Sequence, residues 1–492
     1  MESKLLNAIT QNESFTENGA KTNSTTLSPV LDLFFLAGAS RQLSENQIIS
    51  KLSLAYNTNP ALTTRLVFWA GDIRKGLGER RFFKIGLDWI RRHNCTVFEK
   101  NIENVPFYNR FDSLLEYSDS SKVIKFLYDE LKSGNALCGK WIPRRGKTKI
   151  QKDFINEFTS MYGFTPRQYR KLIVGATNGT VVENKMCKKT WSKITYNQVP
   201  SVAFKKYRKA FKRNDELRFT EFLNKVKLGK EKVHAGAIFP HDIVAEYLPI
   251  EPTDWNRYGY ETYKKRLNYD IKDAVNAQWN CLPDLVNSNE NILPIVDVSG
   301  SMFLDVPKPY PLHIAIALGI YISQKTNGIF KDSFITFSET PELQTLKGDV
   351  TDRIEQILAK IGYNTNIQAV FDLILKSAKN NNLSQSDLPS KILILSDMEF
   401  DSSSVRGNKV SNFEAIDIKF REAGYELPTL VFWNLASRTT TNYPVQVHNT
   451  GTILVSGFSP NILRSILSGK ISPEDVMIET LNNERYNKVV TE

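Results

Sequence analysis

Cysteine and histidine are scarce in this chain of 492 residues, which contains four cysteines and five histidines. The cysteines stand at positions 95, 138, 187 and 281, and no Cys-x-x-Cys pair occurs. This spacing argues against a zinc site and against a disulfide framework. A reducing, intracellular and cytoplasmic setting is therefore expected.

Long apolar segments are also absent. The longest strongly apolar helical run, Leu312–Ile322, is too short to cross a bilayer. The first residues, MESKLLNAITQNESF, lack the charged and then apolar layout of a signal peptide. We therefore expect no membrane association.

Positive charge is abundant, but it is unevenly placed along the chain. The formal net charge is +11, whereas residues 140–232 alone hold 24 Lys and Arg against 7 Asp and Glu. A strongly basic segment beside a mildly acidic remainder predicts a surface that binds a polyanion. The length of the chain predicts two or three domains.

Oxygen-bearing side chains follow two predicted strands and precede one predicted helix in the C-terminal half. The apolar strand Ile292–Val298 leads into the sequence DVSGS, the strand Lys391–Ser396 ends at an aspartate, and a threonine precedes the helical run Ile367–Ala378. Ligands bind beyond the carboxyl ends of parallel strands, and hard oxygen ligands suit Mg²⁺ or a similar cation such as Mn²⁺. The five candidate metal ligands are Asp297, Ser299, Ser301, Thr365 and Asp397. The alternative is a Rossmann-like domain in which these polar residues only cap helices.

Strands and helices alternate through the same half of the chain, which predicts a doubly wound α/β sheet. Further strands are predicted at Ser333–Phe337, Thr429–Trp433 and Thr452–Ser456, with an edge segment at Leu343–Leu346. The set and order of the candidate ligands resemble the metal-ion-dependent adhesion site of von Willebrand factor A domains. That resemblance implies that Ser299, Ser301 and Thr365 bind the cation and that Asp297 and Asp397 act through water. It also implies an open position for a partner's carboxylate, although Met398 replaces the usual glycine after the last aspartate.

The N-terminal half has the density of helices that is typical of stacked helical hairpins. Amphipathic segments occur at Pro29–Ala37, Asn46–Tyr56, Thr63–Ile73 and Phe82–Arg92. Two connectors, DIRKGLGERR at 72–81 and VPFYNRFDSLL at 105–115, resemble loops of TROVE-type helical-repeat domains of the Ro-autoantigen kind. They resemble even more a sister family, sometimes viral, that joins such a domain to a von Willebrand A domain and has no assigned reaction. GKWIPRR, YRKLI, VENKM, VPSVAF, FPHDIV and DVSGSM fit that sister family as well.

Clusters of basic residues mixed with aromatics mark the candidate RNA contacts. Phosphates attract Lys and Arg, and aromatic faces stack on unpaired bases. The candidates in the basic segment are Lys140, Arg144, Arg145, Lys205, Lys206, Arg208, Lys209, Lys212 and Arg213. Those in the first connector are Arg74, Lys75, Arg80 and Arg81, and solvated helix faces or turns are the alternative reading of all of them.

The sequence thus predicts a multidomain α and α/β protein. Its predicted segments are a flexible arm at 1–27, a helical-repeat (HEAT- or TROVE-like) domain at 28–286, a von Willebrand A-like (Rossmann-like) domain at 287–470 and a tail at 471–492. The family resemblance implies a monomeric, non-catalytic ribonucleoprotein-type scaffold for a small non-coding RNA, structured or single-stranded. Its metal site would take a carboxylate from a protein partner. The alternatives are a metal-dependent protein-interaction module without RNA, and a metal-assisted hydrolase or nuclease with Glu399 or Asp401 as base.

Overall fold

A computed structural model describes residues 12–177, 181–233, 238–250, 264, 266–286, 290–303, 306–337, 341–360, 365–402 and 410–492. The chain divides into two compact units. We call residues 1–66 with 238–483 the sheet unit, and residues 67–237 with 484–492 the helical unit. This division differs from the predicted segments, because residues 12–66 and the described part of residues 238–286 group with the sheet.

The described strands are β1 Glu13–Phe15, β2 Lys21–Asn23, β3 Ile292–Val296, β4 Ser333–Thr336, β5 Leu343–Thr345, β6 Lys391–Ser396, β7 Thr429–Asn434 and β8 Thr452–Ser456. The helices up to the middle of the chain are α1 Pro29–Ala37, α2 Glu45–Thr58, α3 Pro60–Gly71, α4 Arg80–His93, α5 Cys95–Lys100, α6 Asn104–Tyr108, α7 Ser121–Lys132, α8 Ala136–Trp141, α9 Lys149–Tyr162, α10 Pro166–Thr177 and α11 Val182–Cys187. They continue as α12 Ser201–Asn214, α13 Glu216–Lys227, α14 Pro240–Tyr247, α15 Lys272–Asn280, α16 Pro311–Lys325, α17 Val350–Leu358, α18 Ile367–Asn380, α19 Asn412–Glu422, α20 Leu463–Ile466 and α21 Pro473–Leu481. Among the described residues, no helix is long and apolar enough to cross a bilayer.

The sheet unit contains a six-stranded sheet in the order β5-β4-β3-β6-β7-β8. All neighbours pair in parallel except the edge strand β5, which runs antiparallel to β4. Strands β3 and β6 are buried along their whole length, as continuous apolar runs predict for strands covered on both faces. The chain leaves β3 for β4 on one side and reaches β6 on the other, so a topological switch point lies between β3 and β6.

Helix α16 packs against β3, β4 and β6. It is buried from Pro311 to Ser323, because α14 covers the side that faces away from the sheet. Gly319 allows the close approach to β3, since a Cβ there would lie 2.5 Å from Cγ2 of Val296. At the edge of the sheet formed by β8, α1 and α21 pack against that strand.

Residues 12–23, predicted to belong to a flexible arm, form a two-stranded antiparallel ribbon within the sheet unit. We call β1, β2 and the turn between them the N-terminal ribbon. Thr16 donates its amide hydrogen to the carbonyl of Ala20 over 2.9 Å to close the turn, and Gly19 has a φ of 79°. On one side the ribbon exchanges backbone hydrogen bonds of 3.1 and 3.0 Å between Asn23 and Tyr443. The composition of the arm gave no sign of this order, because it offers few apolar side chains.

The helical unit has its own aromatic core. Helix α4 is amphipathic, with a buried face that includes Phe82, Phe83 and Trp89 and with Arg91 and Arg92 at its C-terminal end. Gly86 lets this helix approach Val67, whose Cγ1 would lie 2.8 Å from a Cβ at position 86. The end of the predicted tail also belongs to this core, since Tyr486 is buried and stacks on Tyr108 at 5.5 Å.

Candidate functional site

The candidate metal ligands lie at the switch point of the sheet, where ligands of open α/β sheets bind. Asp297 directly follows β3 and Asp397 directly follows β6. The parallel register pairs Val296 with Leu395, so Asp297 lies level with Ser396 and Asp397 follows one residue later on the neighbouring strand. The amide of Asp297 continues the ladder with a hydrogen bond of 3.0 Å to the carbonyl of Leu395.

Asp297 is fully buried and fixed from two sides. Its Oδ1 accepts from the amide of Ser299 over 3.0 Å, and its Oδ2 accepts from the hydroxyl of Ser396 over 2.7 Å. The hydroxyls of Ser299 and Ser301 lie 3.0 Å apart. The structure therefore brings the three predicted ligands of the DVSGS loop together.

Asp397 is equally buried but less completely bonded. Its Oδ1 accepts from the amide of Glu399 over 3.2 Å. Its Oδ2 is buried without a hydrogen-bond partner among the described residues. An unpartnered carboxylate oxygen at such depth is costly unless a cation or an ordered water meets it.

Thr365 joins the site through the loop after β6. Its hydroxyl donates to Oδ1 of Asp401 over 2.9 Å, and its amide donates to Oδ2 of the same carboxylate over 3.2 Å. Thr365 is buried, as are Asp297, Ser299 and Asp397. Residues 403–409, which follow Asp401, lie outside the described residues.

The two aspartates are both costly to ionise, because they are buried and their charges interact. Burial, and then the charge of Asp397, raise the pKa of Asp297. Burial also raises the pKa of Asp397, while the nearby hydroxyl of Ser301 and the hydrogen bond from the amide of Glu399 oppose the rise and the negative charge of Glu17 adds to it. Among the described residues, no group of three or more His, Cys, Asp or Glu side chains converges on one point. The donor set is thus a mixture of hydroxyls and carboxylates, which suits Mg²⁺ or Mn²⁺.

Met398 keeps the loop after β6 in the conformation for which glycine is the usual residue. Its φ is 67°, in the left-handed region that non-glycine residues seldom adopt. Its side chain is buried, and its amide donates to the hydroxyl of Ser396 over 3.1 Å. The departure from the aspartate-glycine pattern therefore leaves a turn in place and adds a buried side chain.

The candidate RNA residues lie in the helical unit, where contacts link many of them around Trp141. Arg110 stacks on the Trp141 ring, with its guanidinium carbon 3.7 Å from the centroid. Nε of the same arginine donates to Asp112 over 2.8 Å, and Asp112 also forms a salt bridge of 3.3 Å with Arg80. The two connectors that the sequence singled out therefore meet at Asp112, beside the GKWIPRR stretch.

The second basic cluster, residues 205–213, is linked to Lys140 through the carboxylate of Glu183. Oε1 of this carboxylate lies 3.2 Å from Nζ of Lys140 and accepts from the hydroxyl of Tyr207 over 3.3 Å. Tyr207 is on α12, whose buried side holds Phe204 and Phe211. The candidates on α12 divide by exposure: Lys206, Lys209, Lys212 and Arg213 are exposed, and Lys205 and Arg208 are half-buried.

A cavity of about 790 Å³ opens beside Trp141. Its cationic lining residues are Lys140, Arg144, Arg145, Lys147 and Arg170. Arg144 is positioned there by a hydrogen bond of 3.1 Å to the hydroxyl of Thr177. Arg74, Lys75 and Arg81 are exposed outside this cavity, and Arg74 donates to the carbonyl of Phe107 over 2.7 Å.

Two family models match the chain. The model described as "Domain of unknown function (DUF2828)" matches residues 16–109 and 136–291, which is half of the chain. The chain belongs to the DUF2828 family. The model described as "Domain of unknown function (DUF7788)" matches residues 291–491, a span that begins one residue before β3. An uncharacterised protein of Acanthamoeba polyphaga mimivirus is 28% identical over 533 residues, which cover 97% of this chain and 89% of the relative.

The DUF2828 match begins at Thr16, inside the N-terminal ribbon, and the ribbon supplies site residues that sequence reasoning missed. Asn18 donates to the hydroxyl of Thr365 over 3.1 Å, and the amide of Glu17 donates to Oε2 of Glu399 over 2.7 Å. Arg438 also stands at the site, since it donates to Oε2 of Glu17 over 2.7 Å. The only local signal was a short polar turn, because each contact spans most of the chain.

Proposed function

We propose that this protein is a non-catalytic RNA-binding scaffold with a divalent-metal-dependent protein-interaction site. The helical unit would be a TROVE-like domain that holds a small non-coding RNA, structured or single-stranded. The sheet unit would be a von Willebrand A-like domain that binds Mg²⁺ or Mn²⁺. The observation that carries the RNA part is the set of contacts around Trp141, which gathers cations from three separate stretches of sequence.

The chemistry of that surface matches single-stranded nucleic acid. Cations around the cavity would neutralise phosphates, and Trp141 and Arg110 offer planar groups for base stacking. Neither feature reads base edges in a duplex groove. We therefore expect binding with strong salt dependence and weak sequence preference.

The first test is to purify the full chain at low salt and to sequence any RNA that accompanies it. Binding of a labelled single-stranded RNA is then measured between 50 and 200 mM salt. Six phosphate contacts on a single strand would lower the affinity by about a factor of 300 over this range. Affinity that does not change with salt would contradict the proposal.

Charge reversal at Arg144 and Arg145 separates specific binding from a general effect of net charge. Arg144→Glu with Arg145→Glu should weaken binding and lower the salt slope by about 1.4, because each phosphate contact contributes about 0.7 for a single strand. The matched control is Lys376→Glu with Lys379→Glu on α18 of the sheet unit, where both lysines are exposed. Equal losses in the two double variants would refute the assignment to the cavity beside Trp141.

The metal part of the proposal rests on the unpartnered Oδ2 of Asp397 beside Asp297 and the two serine hydroxyls. Ser299, Ser301 and Thr365 would hold the cation, and the two aspartates would hold its water ligands. The bound cation would supply a positive charge that a partner's carboxylate can meet. Titration of the full chain with Mn²⁺ should show one site, which Asp297→Asn should remove.

The same observation favours a second candidate, a metal-dependent protein-interaction module without RNA. It would keep Mn²⁺ binding and show no salt-sensitive RNA binding. We do not assign a hydrolase, because the two carboxylates that follow Asp397 in its loop already have partners. Glu399 accepts from Glu17 and Asn442, and Asp401 accepts from Thr365.

A further inference from the structure

A second cavity of the helical unit, of about 750 Å³, opens beside Phe107. We call it the Phe107 cavity. Its apolar lining includes Phe107, Phe126 and Leu137. Phe107 keeps 40% of its surface exposed and Leu137 keeps 43%. Large apolar side chains that stay exposed together in one concave surface are typical of a binding site.

The Phe107 cavity adjoins the cavity beside Trp141 through a smaller cavity of about 290 Å³. The small cavity shares Leu137 with the Phe107 cavity, and it shares Lys140 and Glu183 with the cavity beside Trp141. Leu137 and Lys140 lie on the same helix, α8, about 4.5 Å apart along its axis. The three cavities therefore form one groove along α8.

The two ends of this groove differ in charge. The cavity beside Trp141 is lined by five cationic side chains and by one carboxylate, that of Glu183. The charged side chains that line the Phe107 cavity are Arg74, Lys122, Lys125, Glu103, Asp129 and Glu130. Carboxylates repel phosphates, so the phosphates of a bound strand are favoured at the Trp141 end. The Phe107 end offers aromatic surface and hydrogen-bond acceptors instead.

Glu130 is an acceptor that the fold holds in position. Its Oε2 accepts from Nδ2 of Asn135. Asn135 is itself fixed, because its Oδ1 accepts from the amides of Leu137 and Cys138 over 3.0 and 3.1 Å at the start of α8. A carboxylate has about four acceptor positions, so Glu130 keeps further capacity toward the cavity. Such an acceptor pairs with the exocyclic amino group of a base, for example N4 of cytosine, and repels O4 of uracil.

Cationic side chains lie around the ring of Phe107. The guanidinium carbon of Arg485 and Nζ of Lys488 are 4.9 and 4.7 Å from the ring centroid. Arg74 donates to the carbonyl of Phe107 over 2.7 Å. A strand that places a base against Phe107 can therefore keep its phosphates near these cations and away from the carboxylates.

We propose that the Phe107 cavity is a nucleobase subsite. It takes an unpaired base with an exocyclic amino group, such as cytosine, from the RNA strand whose phosphates lie beside Trp141. Stacking on Phe107 supplies affinity, and Glu130 discriminates against uracil. This inference rests on the RNA part of the proposed function and adds to it a modest base preference at one position.

The test compares two labelled RNA strands of about ten nucleotides, one of cytidines and one of uridines, for binding to the full chain at low salt. Both bases are pyrimidines, so the comparison isolates the amino group. The cytidine strand should bind about fivefold more tightly, the lower end of what base-edge hydrogen bonds contribute. Glu130→Gln should remove this difference, because an amide can both donate to O4 and accept from N4.

Substitution of Phe107 tests the stacking. Phe107→Ala should weaken the binding of both strands about tenfold, and Phe107→Trp, which keeps an aromatic face, should bind them as the unchanged chain does. The matched control is Phe15→Ala, because Phe15 is 60% exposed and lies in the sheet unit. Glu130 lies on α7 and Phe107 on α6, so Glu130→Gln still tests the subsite if Phe107→Ala disturbs the docking of Arg485.

The outcomes separate this inference from the proposed function. Equal affinity for the two strands, or a difference that persists in Glu130→Gln, would overturn the subsite. It would also be overturned if Phe107→Ala binds RNA as Phe15→Ala does while Arg144→Glu with Arg145→Glu still weakens binding, and RNA binding beside Trp141 would then stand. An arginine-rich peptide that binds more tightly than the cytidine strand and depends on Phe107 would assign the cavity to a basic protein and overturn the proposal. A chain that binds neither strand would overturn both the RNA part of the proposed function and this inference.

Discussion

The buried ion pair between Asp72 and Arg485 offers a quantitative test of how the last residues hold the helical unit together. Asp72 is fully buried, and Arg485 donates to both of its oxygens, with a distance of 2.9 Å from Nη2 to Oδ1. The perturbation is Arg485→Met. It removes the guanidinium and keeps an apolar stem beside Phe107, whose ring centroid lies 4.9 Å from the guanidinium carbon.

The cost follows from what the substitution leaves behind. Removing one partner of a buried ion pair costs about 3–5 kcal/mol, because the other charge stays buried. The hydroxyl of Tyr486 and the amide of Arg74 still donate to Asp72 over 3.1 and 3.0 Å. We therefore expect a cost at the lower end of this range, about 3 kcal/mol. A loss of about 3 kcal/mol raises the population of the opened unit about a hundredfold.

The assay is amide hydrogen exchange with mass spectrometry, because a single melting temperature is poorly defined for a chain with two units. Peptides that cover residues 67–71 and 105–109 should exchange about a hundredfold faster in Arg485→Met. The matched control is Lys488→Met in the same segment, where an exposed ammonium lies 4.7 Å from the ring of Phe107. Such a contact contributes about 0.5–1 kcal/mol.

Equal exchange in Arg485→Met and Lys488→Met would refute the reasoning. The double variant Asp72→Asn with Arg485→Met gives an internal check, since it leaves no charge buried. It should recover part of the protection that Arg485→Met loses.

Three further predictions concern the sheet unit. Gly38→Ala should lower the free energy of unfolding by about 1–3 kcal/mol in a denaturant titration, because the new Cβ would lie 2.5 Å from the backbone nitrogen of Gly457. Met398→Val should cost about 1–3 kcal/mol, since a β-branched side chain is strained at a φ of 67°, and Met398→Leu should cost less; the reverse order would contradict this reading. Because the pKa of Asp297 is raised, the cation-free unit should lose stability as the pH rises from about 4 through that raised pKa. Stabilisation by Mg²⁺, measured as the amide-exchange protection of sheet-unit peptides relative to the cation-free chain at the same pH, should therefore be larger at about pH 8 than at about pH 5. A gain in protection that is independent of pH would contradict this prediction.

The arrangement of the sheet was predictable because its strands carry their signal locally. The predicted strand Lys391–Ser396 is confirmed residue for residue, and the apolar helical run Leu312–Ile322 lies within α16. Continuous apolar runs of five or six residues mark strands that are buried on both faces. Because the strands alternate with helices, a parallel sheet is expected, and the carboxyl ends that precede Asp297 and Asp397 then lie at the same edge. This inference needs no information about contacts between distant parts of the chain.

The conformation after Asp397 was not predictable from the same signals. Met398 has no local preference for a positive φ, and glycine would have marked the turn. The turn exists because tertiary contacts hold it, including the hydrogen bond from its amide to Ser396 and the burial of its side chain. The composition of a short loop does not contain that information.

The termini show most clearly why part of the candidate site could not be predicted. Both ends of the chain are polar, and polar composition predicts a flexible arm and a tail. Composition measures how much apolar area a segment can bury, which is a poor guide when the fold presents buried polar groups that need partners. Asp72 accepts hydrogen bonds from Arg485, 413 residues away, and the hydroxyl of Thr365 accepts one from Asn18, 347 residues away. A polar segment becomes ordered in such a case because leaving a buried carboxylate or hydroxyl unsatisfied costs more than fixing a few exposed residues.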